Sequence, residues 1–288
     1  MKEQKKLQSV WRLLWKNRRM LFLLPGFAGV VLFYLLPFAE VVRRSFLRLG
    51  NGKFVGLSNY QMVFSNNAFR LAVRNTALYI LIGVPFLMFV SLCLALLLRH
   101  LTIRSKILSA MLLPMAVPAA VMVLVLQILV DKHGLLNGLL PAAHTGIDYL
   151  NSGYALAVVI YSFLWKNTGY MVILWLAGFT SLNVDVEEAA AVDGAGYFQR
   201  LYYITLPGLS GSFFTIGMLS VLQIFKSYRE VWMAAGSYPQ EMIYFIQHLL
   251  QNWYLKLEFD LMAALTVLLS LLLLLLSIFL YRHLEPER

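Results

Sequence analysis

The sequence is poor in charge, cysteine and histidine, and each shortage excludes a class of function. Only 13% of its 288 residues are charged, whereas a soluble domain has about 25%. The single cysteine, Cys93, excludes an internal disulfide and a cysteine metal cluster. The five histidines are scattered over several loops and ends, and no His-Glu-x-x-His pattern occurs. We therefore expect no metal site.

Two common catalytic motifs are also missing. A phosphate-binding Walker A loop needs a glycine, four residues, Gly-Lys and then Ser or Thr. The only Gly-Lys pair is Gly52-Lys53, and its flanking residues Leu47 and Phe54 do not fit. No Gly-x-Ser-x-Gly nucleophile elbow is present. The sequence therefore predicts a non-catalytic chain that binds no cofactor of its own.

Apolar residues, in contrast, make up 60% of the chain. A helix rises 1.5 Å per residue, so about 20 apolar residues cross the roughly 30 Å hydrocarbon core of a membrane. Six runs are long enough: 20–42, 71–98, 107–130, 154–179, 209–231 and 261–281. The sequence therefore predicts an all-α membrane protein with six transmembrane helices.

The positive charge, +10 overall, indicates which side of the membrane each end occupies. Seven basic residues precede the first run, and Arg99, Arg104 and Lys106 follow the second. Positive residues favour the cytoplasmic side, and an even number of spans puts both termini there. An opposing set lies in the first loop assigned outside: Arg43, Arg44, Arg48, Lys53, Arg70 and Arg74. The N-terminal cluster is denser, so we expect both termini to be cytoplasmic, with the basic tail at anionic lipid rather than nucleic acid.

Residues 183–207 carry the most specific pattern of the chain. Asn183 or Asp185 can cap a helix start, and Asp185 with Glu188 resembles a capping box. The alanines that follow favour a helix, and we expect Gly194 and Gly196 to end it through positive φ angles. A second short helix then runs to Pro207. The predicted local structure is a helix, a glycine turn and a helix.

The fixed positions of this loop are Glu188-Ala189-Ala190, Gly194, Ile204 and Leu206-Pro207. Their spacing resembles the cytoplasmic signature loop of ABC importer permeases at every position. The resemblance implies a coupling helix that seats in a groove on an ATP-hydrolysing subunit, and residues 183–207 are therefore called the coupling loop below. It implies coupling roles for Glu188, Ala189, Ala190, Asp193, Gly194, Ile204, Leu206 and Pro207.

Weaker motifs at 54–60, 114–118, 134–137 and 165–170 extend the resemblance over nearly the whole chain. Together they favour the carbohydrate branch, the type I importers of maltose or glycerol phosphate. The implied organisation is a basic tail, first transmembrane helix and extracytoplasmic loop in 1–70, a transmembrane core in 71–282 and a cytoplasmic tail in 283–288. Pro114 and Pro118 predict a bend in the third span, either beside a pathway or buried in a bundle.

Polar side chains within the spans are candidates for a substrate pathway: Tyr161, Lys166, Asn167, Gln223 and Tyr228. An ammonium at mid-membrane costs about 2.5–3.5 kcal/mol, so Lys166 needs water or a partner. It is either a helix-packing anchor or a pathway residue. Gln223 is either a sugar ligand or part of an interhelical hydrogen bond. We expect Glu230 to pair with Lys226 or Arg229, and segment 243–254 to lie at the interface or form a receptor rim.

The resemblance implies a permease subunit of an ATP-driven sugar importer in the bacterial cell membrane. Its implied partners are a second homologous permease, a pair of ATP-binding subunits that hold ATP and Mg, an extracytoplasmic solute-binding protein and lipid. An ABC importer of another solute (oligopeptide, polyamine or glycerol phosphate) shares the same loop. A secondary transporter would need carboxylates at mid-membrane, and the spans have essentially none away from their ends.

Overall fold

A computed structural model describes residues 18–99, 101–139 and 146–284. Most of the basic N-terminal tail and the last residues of the predicted C-terminal tail lie outside them. Regular structure in the described ranges is helical, apart from one isolated antiparallel bridge between Leu47 and Phe54. This agrees with the all-α prediction.

The described α-helices are numbered in chain order. They are α1 Arg18–Val30, α2 Leu36–Ser45, α3 Ser58–Ser65, α4 Asn67–Leu98, α5 Arg104–Ala116, α6 Ala119–Val130, α7 Leu135–Leu139, α8 Ala155–Thr180, α9 Val184–Val192, α10 Tyr197–Arg200, α11 Leu206–Gly208, α12 Ser210–Ala235, α13 Ile246–Leu255 and α14 Phe259–Leu284. Two π-helical turns, Val31–Leu35 and Leu201–Thr205, join α1 to α2 and α10 to α11, and a 3₁₀ turn covers Glu241–Ile243.

Five helices in the described ranges are long and apolar enough to cross a membrane. A sixth span results if Tyr197–Gly208 and Ser210–Ala235, which meet at an angle of 67°, count as one. The predicted number of spans is therefore confirmed at five to six. The break at Leu209 separates the end of the coupling loop from the fifth span.

The third predicted span, 107–130, is not one helix. Helix α5 begins earlier, at Arg104, and ends at Ala116, and α6 begins at Ala119. Val117 has an extended backbone with ψ 128°, which is the conformation a residue before proline prefers. Pro118 then caps α6 with φ −59°. The predicted bend is therefore a complete interruption of the helix.

The chain divides into two compact units, and the first combines the described part of Met1–Val63 with Leu257–Ser270. Inside it the Asn59 amide donates to the carbonyls of Ser45 and Leu47, both at 2.9 Å. Glu40 accepts from Arg43 Nε at 2.7 Å and from Arg44 Nε at 2.8 Å. The structure does not test the membrane orientation, so the cytoplasmic placement of both termini stays a prediction.

The second unit, Phe64–Lys256 with the described part of Leu271–Arg288, is a helix bundle. Trp175 on α8 is fully buried in its core, and its indole donates to Ser91 Oγ on α4 at 3.0 Å. Tyr79 on α4 packs edge-on against Phe163 of α8 with ring centroids 5.6 Å apart. Helices α4 and α8 thus form the centre of the bundle.

Helix α13 lies inside this unit. Its residues Ile246, Leu249 and Trp253 are at most 4% exposed. The Asn75 amide of α4 donates to the carbonyls of Glu241 and Tyr244, and the Ile246 N–H donates to Thr76 Oγ at 3.0 Å. A helix lying on the bilayer surface would leave one face free, so the structure favours a segment packed on α4 over an interfacial helix.

Candidate functional site

The coupling loop begins with a capped helix. Asn183 Oδ1 accepts a hydrogen bond from the Asp185 N–H at 3.0 Å, which satisfies one of the free amides at the start of α9. Asp185 and Glu187 lie in the first turn of α9, where their negative charge interacts favourably with the positive end of the helix dipole. Of the two predicted caps, the structure selects Asn183, and Asp185 and Glu188 do not form the expected capping box.

Gly194 forms the turn that ends α9. Its φ is +86°, and its N–H and that of Ala195 bond to the carbonyls of Ala191 and Ala190 at 3.1 and 2.9 Å. This is the Schellman arrangement, which requires a left-handed residue and therefore favours glycine. A Cβ at Gly194 would meet nothing within 4 Å, so its backbone angle alone requires glycine.

Gly196 differs from its prediction. Its φ is −65°, an ordinary value, and it precedes the first residue of α10 instead of ending α9. Its N–H donates to Gln199 Oε1 at 2.8 Å. One glycine in the left-handed region is enough to reverse the chain here.

The second arm of the loop is a short irregular helix. It runs through α10, the π turn and α11, and Leu209 interrupts it before α12. The Leu209 N–H bonds to the Thr205 carbonyl at 3.1 Å, and Pro207 lies inside the last turn. Proline has no N–H to donate, and it follows the π turn, where the backbone already departs from the regular α-helical hydrogen-bond pattern.

Large apolar side chains of the coupling loop point to the outside of the chain. Val192 is 87% exposed and Phe198 is 79% exposed. Five further exposed residues are Val184, Val186, Tyr197, Tyr202 and Tyr203. A surface depression of about 420 Å³ lies beside them, lined by Asp193, Gly194, Ala195, Gln199, Arg200, Tyr203 and Ile204. Both arms of the loop therefore present large apolar side chains to the outside.

The predicted coupling residues all lie in this segment. Those with exposed side chains or backbone are Glu188, Ala189, Asp193, Gly194 and Pro207, and those that are half-buried are Ala190, Ile204 and Leu206. The coupling roles themselves stay predictions. Sequence reasoning missed Glu187, whose carboxylate contacts Arg99 at the end of α4 with an N–O distance of 2.7 Å.

The substrate-pathway candidates fall into separate environments. Lys166 on α8 forms an ion pair with Glu230 on α12, and the Glu230 side chain is 8% exposed. The Asn167 amide bonds back to the Phe163 carbonyl of its own helix at 2.8 Å, and Tyr161 is 59% exposed. The expected pairing of Glu230 with Lys226 or Arg229 is therefore wrong. The contact favours Lys166 as a helix-packing anchor.

Tyr228 and Gln223 lie on α12, and both are half-buried. The Tyr228 ring stands edge-on to His248 of α13, with centroids 4.7 Å apart. Among the described residues, the buried Tyr228 hydroxyl and His248 Nε2 have no hydrogen-bond partner. Gln223 stays a candidate ligand on its position alone.

His248 was not selected as a site residue from the sequence. Its Nδ1 accepts from the Phe245 N–H at 3.1 Å, so the ring is held neutral with its other nitrogen protonated. Burial lowers the pKa of His248 from 6.5 to about 4. Tyr244 stacks on the same ring, and burial raises its pKa. These contacts give α13 a buried polar centre.

Comparison with known proteins shows which family the sequence matches. The model of the family described as "Binding-protein-dependent transport system inner membrane component" matches residues 87–288. The sn-glycerol-3-phosphate transport system permease protein UgpA of Yersinia pestis is 30% identical over 278 residues, 93% of this chain and 94% of that protein. The sulfoquinovosyl glycerol transport system permease protein SmoG of Agrobacterium fabrum is 29% identical over 231 residues, 76% of this chain and 74% of SmoG.

Two solved structures share the fold. A chain of a bacterial ABC transporter involved in the import of the acidic polysaccharide alginate superposes with a TM-score of 0.78, at 18% identity, over 95% of this chain and 97% of that one. A chain of the bacterial alginate ABC transporter in complex with an alginate pentasaccharide-bound periplasmic protein gives 0.77, at 19% identity, over 94% and 96%. At these identities the likeness concerns the fold.

Proposed function

Because the chain belongs to the family of binding-protein-dependent transport system inner membrane components, we propose that it is one permease subunit of an ATP-driven sugar importer. The family is a transport component of the cell membrane, and the spanning helices agree with that location. In this proposal the chain supplies half of a translocation pathway. It performs no chemistry, and separate subunits hydrolyse ATP.

The coupling loop is the observation that carries the proposal. It combines a capped helix, a Schellman turn at Gly194 and exposed apolar side chains around a depression. An exposed, well-formed helical elbow of this kind suits a groove on another protein, because its apolar side chains gain burial only on docking. The proposed partner is a pair of ATP-binding subunits on the cytoplasmic side, which hold ATP and Mg.

The solute class follows from the relatives. Their names specify glycerol 3-phosphate and sulfoquinovosyl glycerol, and the solved transporters import alginate. We propose that this chain carries a sugar, such as an oligosaccharide, delivered by an extracytoplasmic solute-binding protein. One of the solved relatives is bound to such a periplasmic protein. A second, homologous permease would supply the other half of the pathway.

The mechanism would be alternating access. A nucleotide can shift a two-state equilibrium only by binding the two states with different affinity. In the proposal, ATP binding draws the two ATP-binding subunits together, and each coupling loop follows its groove. The movement opens the pathway outward so that it accepts solute from the docked receptor.

Reconstitution tests the proposal. The chain is assembled with its partner subunits and receptor in liposomes, and ATP hydrolysis is measured with maltotriose, an alginate trisaccharide, sn-glycerol 3-phosphate, a tripeptide and putrescine. We expect a sugar to raise hydrolysis and to accumulate inside the liposomes. Stimulation by sn-glycerol 3-phosphate, the tripeptide or putrescine alone would support the importer of another solute. Accumulation without ATP would refute coupling altogether.

The pathway candidates are tested in the same liposomes. Gln223 keeps its proposed contact with solute on its position alone, and Tyr228 keeps it because its hydroxyl has no hydrogen-bond partner among the described residues. Alanine substitutions at Tyr161, Lys166, Asn167, Gln223 and Tyr228 are compared for uptake and for the range of sugars accepted. A variant with unchanged uptake and range removes that residue from the pathway.

A further inference from the structure

Arg99 joins the end of helix α4 to the coupling helix α9. Its Nη2 lies 2.7 Å from Glu187 Oε2, and its Nη1 lies 3.4 Å from Glu187 Oε1. The two groups are 88 positions apart in the sequence. A guanidinium that faces both oxygens of a carboxylate fixes direction as well as distance. The contact therefore sets the orientation of α9 relative to α4.

A third element meets the same guanidinium. The Arg99 Cζ atom lies 5.1 Å from the ring centroid of Phe179, near the end of α8. Phe179 is 6% exposed, and the side chains of Arg99 and Glu187 are 20% and 22% exposed. Partial burial reduces solvent screening of the pair, and the aromatic face attracts the cation. Arg99 thus holds α4, α8 and α9 together at one point.

This contact adds a second connection between the coupling helix and the bundle. The first connection is covalent, because the short linker Ser181, Leu182 and Asn183 joins α8 to α9. Through Arg99 it also contacts α4, which carries the fully buried Tyr79 and Leu87 into the core. A displacement of α9 can therefore act on the two central helices at once.

We propose that Arg99 is a positioning residue of the transport cycle, which makes α4 follow the coupling helix when the ATP-binding subunits close. The proposal rests on the proposed function, because it takes α9 as the segment that meets those subunits. A merely stabilising ion pair would change how much protein folds. A positioning residue changes how far α4 moves for a given movement of α9.

Distances between spin labels separate these cases. In the assembled transporter, with Cys93 replaced by serine, labels are placed at Leu97→Cys on α4 and Val192→Cys on α9, both strongly exposed positions. Distances are recorded before and after trapping with MgATP and orthovanadate. With Arg99 present we expect an unchanged distance, because the two helices move together. With Arg99→Gln we expect the mean distance to shift on trapping.

Three variants serve as controls. Arg104→Gln removes an exposed arginine at the start of α5 and should behave as the parent. Arg99→Glu should shift the distance as Arg99→Gln does, and Arg99→Glu with Glu187→Arg should restore the parent response. Rescue by the reversed pair is not expected of a residue that only affects folding.

The outcomes are distinct from those that test the proposed function. An identical trapping response in the parent and in Arg99→Gln would overturn the role of Arg99. A lack of rescue by the reversed pair would overturn the ion pair as its basis. If the parent chain traps no nucleotide with its partner subunits, the proposed function fails first. The proposal is supported if the distance between the labels shifts on trapping in Arg99→Gln and Arg99→Glu but not in the parent, in Arg104→Gln or in the reversed pair.

Discussion

Two ion pairs within the described residues join distant parts of the chain, and they differ in the burial of their carboxylates. Lys166 and Glu230 connect α8 to α12 within the bundle, and their side chains are 20% and 8% exposed. Arg99 and Glu187 connect α4 to the coupling helix, and each keeps about one-fifth of its side chain in contact with solvent. The carboxylate of the first pair is therefore buried, whereas both charged groups of the second pair keep partial access to water at the edge of an exposed loop.

Because of this difference in burial, we expect changes to the interior pair to affect stability and changes to the coupling loop to affect transport. A charge left alone in a desolvated interior is costly, so removing one partner of the interior pair should destabilise the folded chain. The loop pair is partly buried, and either of its charges can regain water when its partner is removed, so its loss should cost less stability than the loss of one interior partner. Changes in the interior should lower the free energy of unfolding. Changes in the coupling loop should reduce transport while leaving the bundle folded.

The largest effect is expected for Lys166→Met. It leaves the Glu230 carboxylate buried without its cation, and breaking one side of a buried pair costs about 3–5 kcal/mol. The measurement is the free energy of unfolding in detergent with a chemical denaturant. Lys166→Met with Glu230→Leu should recover most of the loss, because the uncompensated charge is gone.

Arg229→Met is the matched control for that experiment. Arg229 lies beside Glu230 on α12 and is exposed, so its removal should change the free energy of unfolding by less than about 0.5 kcal/mol. Equal losses for Lys166→Met and Arg229→Met would contradict the assignment of the interior pair.

An intermediate effect is expected from acid at His248. Its pKa in the folded chain is about 4, below the ordinary value of 6.5. Above pH 6.5 the ring is neutral in both the folded and the unfolded chain. As pH falls from 6.5 towards 4 the unfolded chain binds the proton first. Stability therefore decreases by at most about 1.4 kcal/mol per pH unit.

The measurement is the free energy of unfolding at a series of pH values between 7 and 4. His248→Asn removes the titrating group and keeps an acceptor for the Phe245 N–H, so its stability should depend less steeply on pH. His133→Asn replaces an exposed histidine and serves as the control for the substitution itself. Identical slopes for the parent and His248→Asn would show that this histidine is not the group responsible.

The smallest effect on stability, and a severe one on transport, is expected for Gly194→Leu. At φ +86° a side chain costs about 1–2 kcal/mol, and the cost falls on a turn outside the bundle. We expect uptake and receptor-stimulated ATP hydrolysis to be lost, with the protein still inserted in the membrane. Gly194→Asn should retain part of the activity, since asparagine tolerates this region.

Gly211→Leu controls for glycine replacement near the loop. Gly211 lies in α12 at an ordinary φ, and a Cβ there would meet nothing within 4 Å. It should transport at the parent rate. Normal uptake by Gly194→Leu would show that the turn is not needed for coupling, and the contrast between loop and interior would disappear.

The spans and the coupling loop were predictable because each is determined by neighbouring residues. Long apolar runs have one stable state in a membrane, and Gly194 follows three alanines at a position that only a left-handed turn explains. Gly196 shows the limit of that reasoning. As a glycine it was expected to adopt a positive φ as well, but the turn at Gly194 alone reverses the chain direction.

Contacts between distant residues were not predictable in the same way. Glu230 had basic neighbours on its own helix, yet its partner is Lys166, 64 positions away. The segment around His248 has the amphipathic pattern of an interfacial helix, yet its polar side is also buried, against Tyr228 and Tyr244. Both differences arise because the packing partner, rather than the local pattern, decides which groups leave water.

Helices α5 and α8 meet so closely at Gly169 that the Met111 carbonyl occupies the place of a missing Cβ. Helices that touch backbone to backbone cannot slide or rotate past each other without separating first. We therefore expect α5 and α8 to move together as one rigid unit. The nearest point at which the backbone of this unit can bend is Val117, which has an extended conformation between the end of α5 and Pro118. A bend confined to this gap would change the angle between α5 and α6 and leave the contact between Gly169 and Met111 intact.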